Sequence, residues 1–244
     1  MEKIAQKIKR HLQENKPLAM TRFGDGEYKV MIEHSLKNSC YINHLGHVPS
    51  NELQKEIRSN ILETVQKSDI VGLPEHGHAI WKDTNEYFSQ FVKSWQTKTS
   101  LDFHKFLLES GYIYDFIQMA DTIVMINGHF LREEMQKRYP KKFIYHLKIP
   151  LQDRFFGNND NKNIAKINYY PDVYNNVLEI LQSINVRDYR VLVLIGGGFV
   201  GKRFTIEAKK LGMIALDMGH VFDVWAGYGT RGSDKFKELN KYKF

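Results

Sequence analysis

The run Val191-Leu-Val-Leu-Ile195 is apolar at every position and leads straight into Gly196-Gly197-Gly198. A short apolar run without alternation predicts a strand buried on both faces, as in the middle of a parallel sheet. Such a strand needs helices above and below it, and the chain supplies them. Apolar runs at Leu18 to Phe23, Asp69 to Leu73, Thr122 to Ile126, Phe143 to Ile149, Arg190 to Ile195 and Met213 to Asp217 alternate with helical segments. Ile4, Ile8 and Leu12 mark the first helix at four-residue spacing, and Leu53, Ile57, Ile61, Leu62 and Val65 mark another. Tyr28 to Leu36, residues 85–119 with a break at Ser110-Gly111, Phe130 to Arg138, a segment from Pro171 and Gly201 to Leu211 also read as helical. The alternation predicts an α/β fold: a Rossmann-like, mostly parallel sheet of six strands flanked by helices. No repeat or linker interrupts it, so residues 1–244 are expected to form a single domain.

In folds of this kind ligands bind outside the carboxyl ends of the strands. The loops after Phe23, Leu73, Ile126, Ile149, Ile195 and Asp217 should therefore line one cleft. The first of them carries Arg22-Phe23-Gly24-Asp25-Gly26-Glu27. Glycines on either side of Asp25 free the turn, so that Asp25 and Glu27 are expected to converge on one point. Converging carboxylates repel unless a cation lies between them. Hard oxygen ligands of this kind suit magnesium or manganese shared with phosphates. The competing reading is a solvated turn with acids that favour a helix N-terminus. Arg22 is placed to pair with a carboxylate or a diphosphate.

Gly196-Gly197-Gly198-Phe199-Val200-Gly201 fits G-x-G-x-x-G between a strand and a helix, with Asp217 following one helix and one strand later. That is the dinucleotide fingerprint with its ribose-binding acid, which makes an NAD(P)-dependent oxidoreductase one reading. Residues 218–244 are too few for the rest of a Rossmann half, so upstream strands would have to fill in, in an unusual order. Backbone amides at the helix start and Lys202 would equally suit another phosphate, and close strand–helix packing alone also explains such glycines. Past the last strand stand Asp217, His220 and Asp223, candidates for proton transfer or for holding a sugar hydroxyl, with Asp223 also able to orient His220. Asn127-Gly128-His129 and Asp153-Arg154 lie on further cleft loops. The aperiodic stretch Leu151 to Tyr170 reads as a lid or as a surface excursion.

The formal charge of +7 suits a phosphate-bearing partner, yet no nucleic-acid module is recognisable, so no nucleic-acid partner is expected. A non-catalytic nucleotide-binding module remains a third reading. The lone Cys40 excludes an intrachain disulfide and a multi-cysteine zinc site. His44 and His47, and His76 and His78, lack a third ligand at a standard spacing and read as loop histidines. The charged N-terminus has no signal-peptide core, which points to a cytoplasmic protein. The alternating basic and aromatic tail, Lys235 to Phe244, reads as a solvated end or as a peripheral contact with the inner face of a membrane.

Ala19-Met-Thr-Arg-Phe-Gly-Asp-Gly-Glu27 resembles the N-terminal signature of the GT-D fold glycosyltransferases. The resemblance continues, in order, at Ile70-Val-Gly-Leu-Pro74, at Val191 to Lys202 and at Ala215-Leu-Asp-Met-Gly-His220-Val-Phe-Asp223. The turn at 196–202 departs from the proline-threonine-alanine-lysine form of many members, and residues 75–170 match loosely. The resemblance implies a GT-D type fold and a metal-dependent glycosyltransferase. It would move a sugar from a nucleotide sugar, a UDP-hexose, to an acceptor hydroxyl on a glycan, glycolipid or glycoprotein. Asp25 and Glu27 would hold manganese or magnesium. Arg22, Gly24, Gly196, Gly197, Gly198 and Lys202 would lie at the nucleotide, and Asp217, His220 and Asp223 in the catalytic cleft.

Overall fold

The computed structural model describes residues 1–76, 81–151, 169–184, 186–187, 189–228 and 242–244. Its centre is a sheet of seven parallel strands: β1 (Leu18–Arg22), β2 (Ile70–Leu73), β3 (Thr97–Ser100), β4 (Thr122–Asn127), β5 (Phe143–Lys148), β6 (Val191–Ile195) and β7 (Ile214–Asp217). They lie in the order β3-β2-β1-β7-β6-β4-β5, every neighbouring pair parallel. The last strand thus enters the middle, and upstream strands fill both sides of it.

Side-chain alternation accounts for the two layers of helices. Leu192 and Leu194 of β6 point into one apolar core, with Ile123 and Met125 of β4 and Ile214 and Leu216 of β7. Val191, Val193 and Ile195 point into the other, with Val124, Ile126 and Ala215. The period of two along a strand lets one uninterrupted apolar run serve both cores. The first core is closed by helices α1 (Glu2–Gln13), α6 (Phe103–Glu109) and α7 (Tyr112–Met119), together with α8 (Arg132–Arg138) and the short α12 (Val221–Trp225). The second is closed by α3 (Lys37–Leu45), α4 (Asn51–Lys67), α9 (Tyr174–Ser183) and α11 (Arg203–Lys210), with α2 (Asp25–Met31), α5 (Trp81–Ser89) and the single turn α10 (Gly198–Gly201) at its edges.

Three expectations change. Residues 85–119 are not one broken helix, because β3 lies inside them and forms an edge of the sheet. Thr97-Lys-Thr-Ser100 carries no apolar periodicity, since an edge strand buries little of itself. The helix after β1 begins at Asp25 and stops at Met31, ahead of Glu33 with φ 53°. The helix after the 151–170 stretch starts at Tyr174, preceded by one wide turn over Tyr169–Val173 that contains Pro171. His78, Asp153, Arg154, most of the proposed lid and Lys235 to Lys241 of the tail lie outside the described residues.

Candidate functional site

Strand order fixes where a site can form. From β1 the sheet runs through β2 to β3 on one side, and from β7 through β6 to β4 and β5 on the other. The chain leaves β1 into α2, against one apolar core, and leaves β7 into α12, against the other, so a crevice opens between their carboxyl ends. A cleft of about 530 Å³ lies there, bounded by the ends of β1, β4, β6 and β7 and by α2, α3 and α6. Of the loop after β2, the described residues 74–76 do not line it, whereas the segment after β3 does, with Leu101, Asp102 and His104.

The floor of the cleft is a buried ionic network. Arg22 ends β1 and Asp217 ends β7, so the register of these strands brings them together. The Arg22 main-chain N–H donates to Asp217 Oδ2 at 3.2 Å, its Nη2 to Oδ1 at 3.2 Å and its Nε to the Asp217 carbonyl at 3.0 Å. Lys202 Nζ donates to Asp217 Oδ2 at 2.5 Å and lies 3.4 Å from Glu27 Oε1. Burial alone would raise the Asp217 carboxyl, but the Arg22 and Lys202 cations outweigh it and hold it below the ordinary range. Three donors, two of them cationic side chains, thus occupy the Asp217 carboxylate, which ties it first to Arg22 and Lys202 and makes it a poor proton carrier.

Behind Arg22 lie two histidines. Arg22 Nη1 donates to the His104 ring, 2.7 Å from Nδ1, and His104 Nε2 lies 3.1 Å from His220 Nδ1. Burial first, then the Arg22 cation and His220, hold His104 well below the usual imidazole range and keep it neutral. Asp223 Oδ1 lies 2.7 Å from Nε2 of His129, whose main-chain N–H donates to Asn127 Oδ1 at 2.8 Å.

Asp25 and Glu27 both line the cleft, but they do not converge. They sit in the first turn of α2, and residues two apart on a helix do not face each other. Asp25 Oδ2 binds Lys29 at 2.6 Å, and Glu27 Oε2 accepts the Gly24 N–H at 2.8 Å while Oε1 faces Lys202. Among the described residues no group of three or more His, Cys, Asp or Glu could hold an ion unaided. Magnesium and manganese, however, are held by one or two carboxylates beside phosphate oxygens and water. The donor set fits a cation that arrives with a diphosphate.

The glycine turn is required by packing as well as by any ligand. A Cβ on Gly196 would stand 2.6 Å from the Phe222 ring, and one on Gly197 2.9 Å from Gly201 Cα. Gly198 has φ +59°, and its Cβ would meet the His44 ring at 2.3 Å. The Tyr169 hydroxyl donates to the Gly197 carbonyl at 3.0 Å, tying the turn to the segment ahead of α9. Arg22, Gly24, Gly196, Gly197, Gly198, Lys202, His220 and Asp223 all line this one cleft. His104 carries no sequence signal, because its place depends on the unpredicted β3. His129 stood on a candidate loop, but its pairing with Asp223 spans 94 residues of sequence.

These features define a class: a parallel α/β protein with a charged, nucleotide-sized cleft at the switch point of its sheet. The GT-D-like family, described as a GT-D fold-like domain, matches residues 1–225. The chain belongs to that family, and with it to the glycosyltransferases. Among solved structures it is similar to "A New Glycosyltransferase (DUF1792) from Streptococcus sanguinis", at 15% identity over 96% of this chain and 90% of that one, with a TM-score of 0.55. It is also similar to a structure described as a highly conserved domain of unknown function 1792 with a distinct glycosyltransferase fold, at 16% identity, 96% and 87% coverage and a TM-score of 0.56. Among curated proteins no match is found. Family and fold displace both the oxidoreductase reading and that of a non-catalytic module.

Proposed function

We propose that the protein is a metal-dependent hexosyltransferase that takes a UDP-hexose into the cleft at the β1–β7 junction and transfers its sugar to an acceptor hydroxyl on a glycan, glycolipid or glycoprotein. The observation that carries the metal dependence is the charge of the cleft lining. Among the described residues five carboxylates, Asp25, Glu27, Asp102, Asp217 and Asp223, face four fixed cations, Arg22, Lys29, Lys105 and Lys202. Each of these cations is already paired with a carboxylate. A diphosphate entering such a lining needs a positive charge brought with it. The half-buried Asp25 and the buried Glu27 are the residues that would hold it, Asp25 exchanging its bond to Lys29 for the ion.

The bound cation would neutralise charge on the departing diphosphate. The protein's own part is pre-organisation. Asp217 holds Arg22 and Lys202 rigidly beneath the cleft, so their fields are directed before the substrate arrives. The glycine turn lets the nucleotide approach the main chain closely. Neutral His104 supports Arg22 without adding a charge against it. Localisation at the inner face of a membrane is part of the proposal through its lipid-linked acceptors; no helix among the described residues is long and apolar enough to cross one.

Asp25→Asn and Glu27→Gln test this reading. Release of UDP from UDP-hexoses in the presence of manganese should fall at least a hundredfold in each, with the thermal midpoint of Asp25→Asn within a few degrees of the parent. Full activity in either variant would contradict the assignment.

A further inference from the structure

A second cleft of about 410 Å³ opens beside the first and shares Gly128, His129 and Leu151 with it. Its character is different. The first cleft is lined by ion pairs; the second is walled by Phe130, Tyr228 and Phe244 over the buried Trp225, with Glu134 and Lys243 among its charged groups. Phe130 is 71% exposed, an unusual state for so large an apolar side chain, and the Lys148 ammonium lies 3.2 Å from its ring centroid. Tyr228 stacks on the His129 imidazole, with centroids 5.4 Å apart and planes inclined by 22°.

A sugar ring presents an apolar C–H face and a polar hydroxyl edge. The exposed rings of Phe130 and Tyr228, with a few charged groups around them, match that pattern, whereas a diphosphate belongs with the cations and carboxylates of the first cleft. At the junction of the two stands His129, its Nε2 2.7 Å from Asp223 Oδ1 and its main chain fixed by Asn127. A carboxylate on one ring nitrogen sets the tautomer and orientation of an imidazole, which is the arrangement of a general base.

We propose that the second cleft is the acceptor-sugar site and that His129, positioned by Asp223, takes the proton of the acceptor hydroxyl. The acceptor oxygen forms its bond to the anomeric carbon as the bond from that carbon to the diphosphate oxygen breaks. The electron pair leaves with the nucleoside diphosphate, and the hydroxyl proton passes to the imidazole. This rests on the glycosyltransferase reading, with the donor in the first cleft.

The test measures UDP release from a panel of UDP-hexoses, with manganese, against a series of p-nitrophenyl hexosides as acceptors. The parent protein should release UDP slowly alone and faster with at least one hexoside. His129→Gln and Asp223→Asn should lower kcat of the stimulated reaction about a hundredfold, while UDP with manganese still raises their thermal midpoints. Phe130→Ala, at an exposed ring, should act on the hexoside KM instead, raising it about five- to tenfold. Stimulated kcat near the parent's in His129→Gln, or an unchanged hexoside KM in Phe130→Ala, would overturn the proposal. So would UDP release by the parent that no hexoside accelerates. No UDP release by the parent from any donor would instead defeat the underlying hexosyltransferase reading.

Discussion

Asp217 is 3% exposed and carries two cations, Arg22 and Lys202, on one carboxylate. Removing its charge strands both in a dry site, and a broken buried ion pair typically costs about 3–5 kcal/mol. Asp217→Asn should therefore destabilise the fold by about that amount in chemical denaturation, with a loss of activity that follows unfolding. A variant of parental stability would show that the network is solvated in solution. Part of this was legible from sequence. Arg22 was expected to pair with a carboxylate or a diphosphate, and the carboxylate is the partner found. That the partner is Asp217 depends on β7 lying beside β1, and no local pattern encodes strand order. The same limit applied to Asp25 and Glu27: the pattern was visible, but the helix that starts at Asp25 turns the two side chains apart.

At the scale of elements, strands were legible where apolar side chains mark at least one face, as in Val191–Ile195 and the edge strand Phe143–Lys148. Thr97–Ser100 was lost because it has no apolar side chain and buries only Ser100. Alignment of the central strands also rests on charge. Asp121 and Arg190 stand just before β4 and β6, which pair directly. Arg190 Nε donates to Asp121 Oδ2 at 2.9 Å and Nη2 to Oδ1 at 2.8 Å, a two-pronged pair. The Arg190 hydrogen bonds hold the Asp121 carboxyl below its ordinary value against a smaller opposing effect of burial. A carboxyl depressed in the folded state adds stability above its unfolded pKa, and that stability is lost as pH falls through the folded value. With solvent screening at this half-exposed site, Asp121→Asn should cost about 0.5–1 kcal/mol at pH 7. The difference from the parent should shrink steadily below about pH 4, where the unfolded carboxyl begins to take up its proton. Urea midpoints measured from pH 7 down to pH 3 check this, and a gap that widens on acidification would contradict it.

At the scale of the molecule, function follows from where the chain doubles back. The expectation that strands upstream of Asp217 fill in around it holds, with β1, β2 and β3 on one side and β6, β4 and β5 on the other. That single topological fact gathers residues from the beginning, middle and end of the chain around one cleft. The excess of lysine and arginine over the whole sequence disappears there: the described lining has one more carboxylate than fixed cations. On the proposed reading, that described lining accepts a diphosphate together with a divalent cation. The most direct measurement is UDP release from a panel of UDP-hexoses in manganese, repeated with excess chelator. Release with at least one donor in manganese, abolished by chelator and restored by adding the metal back, is the predicted result. Equal release with and without chelator would contradict it.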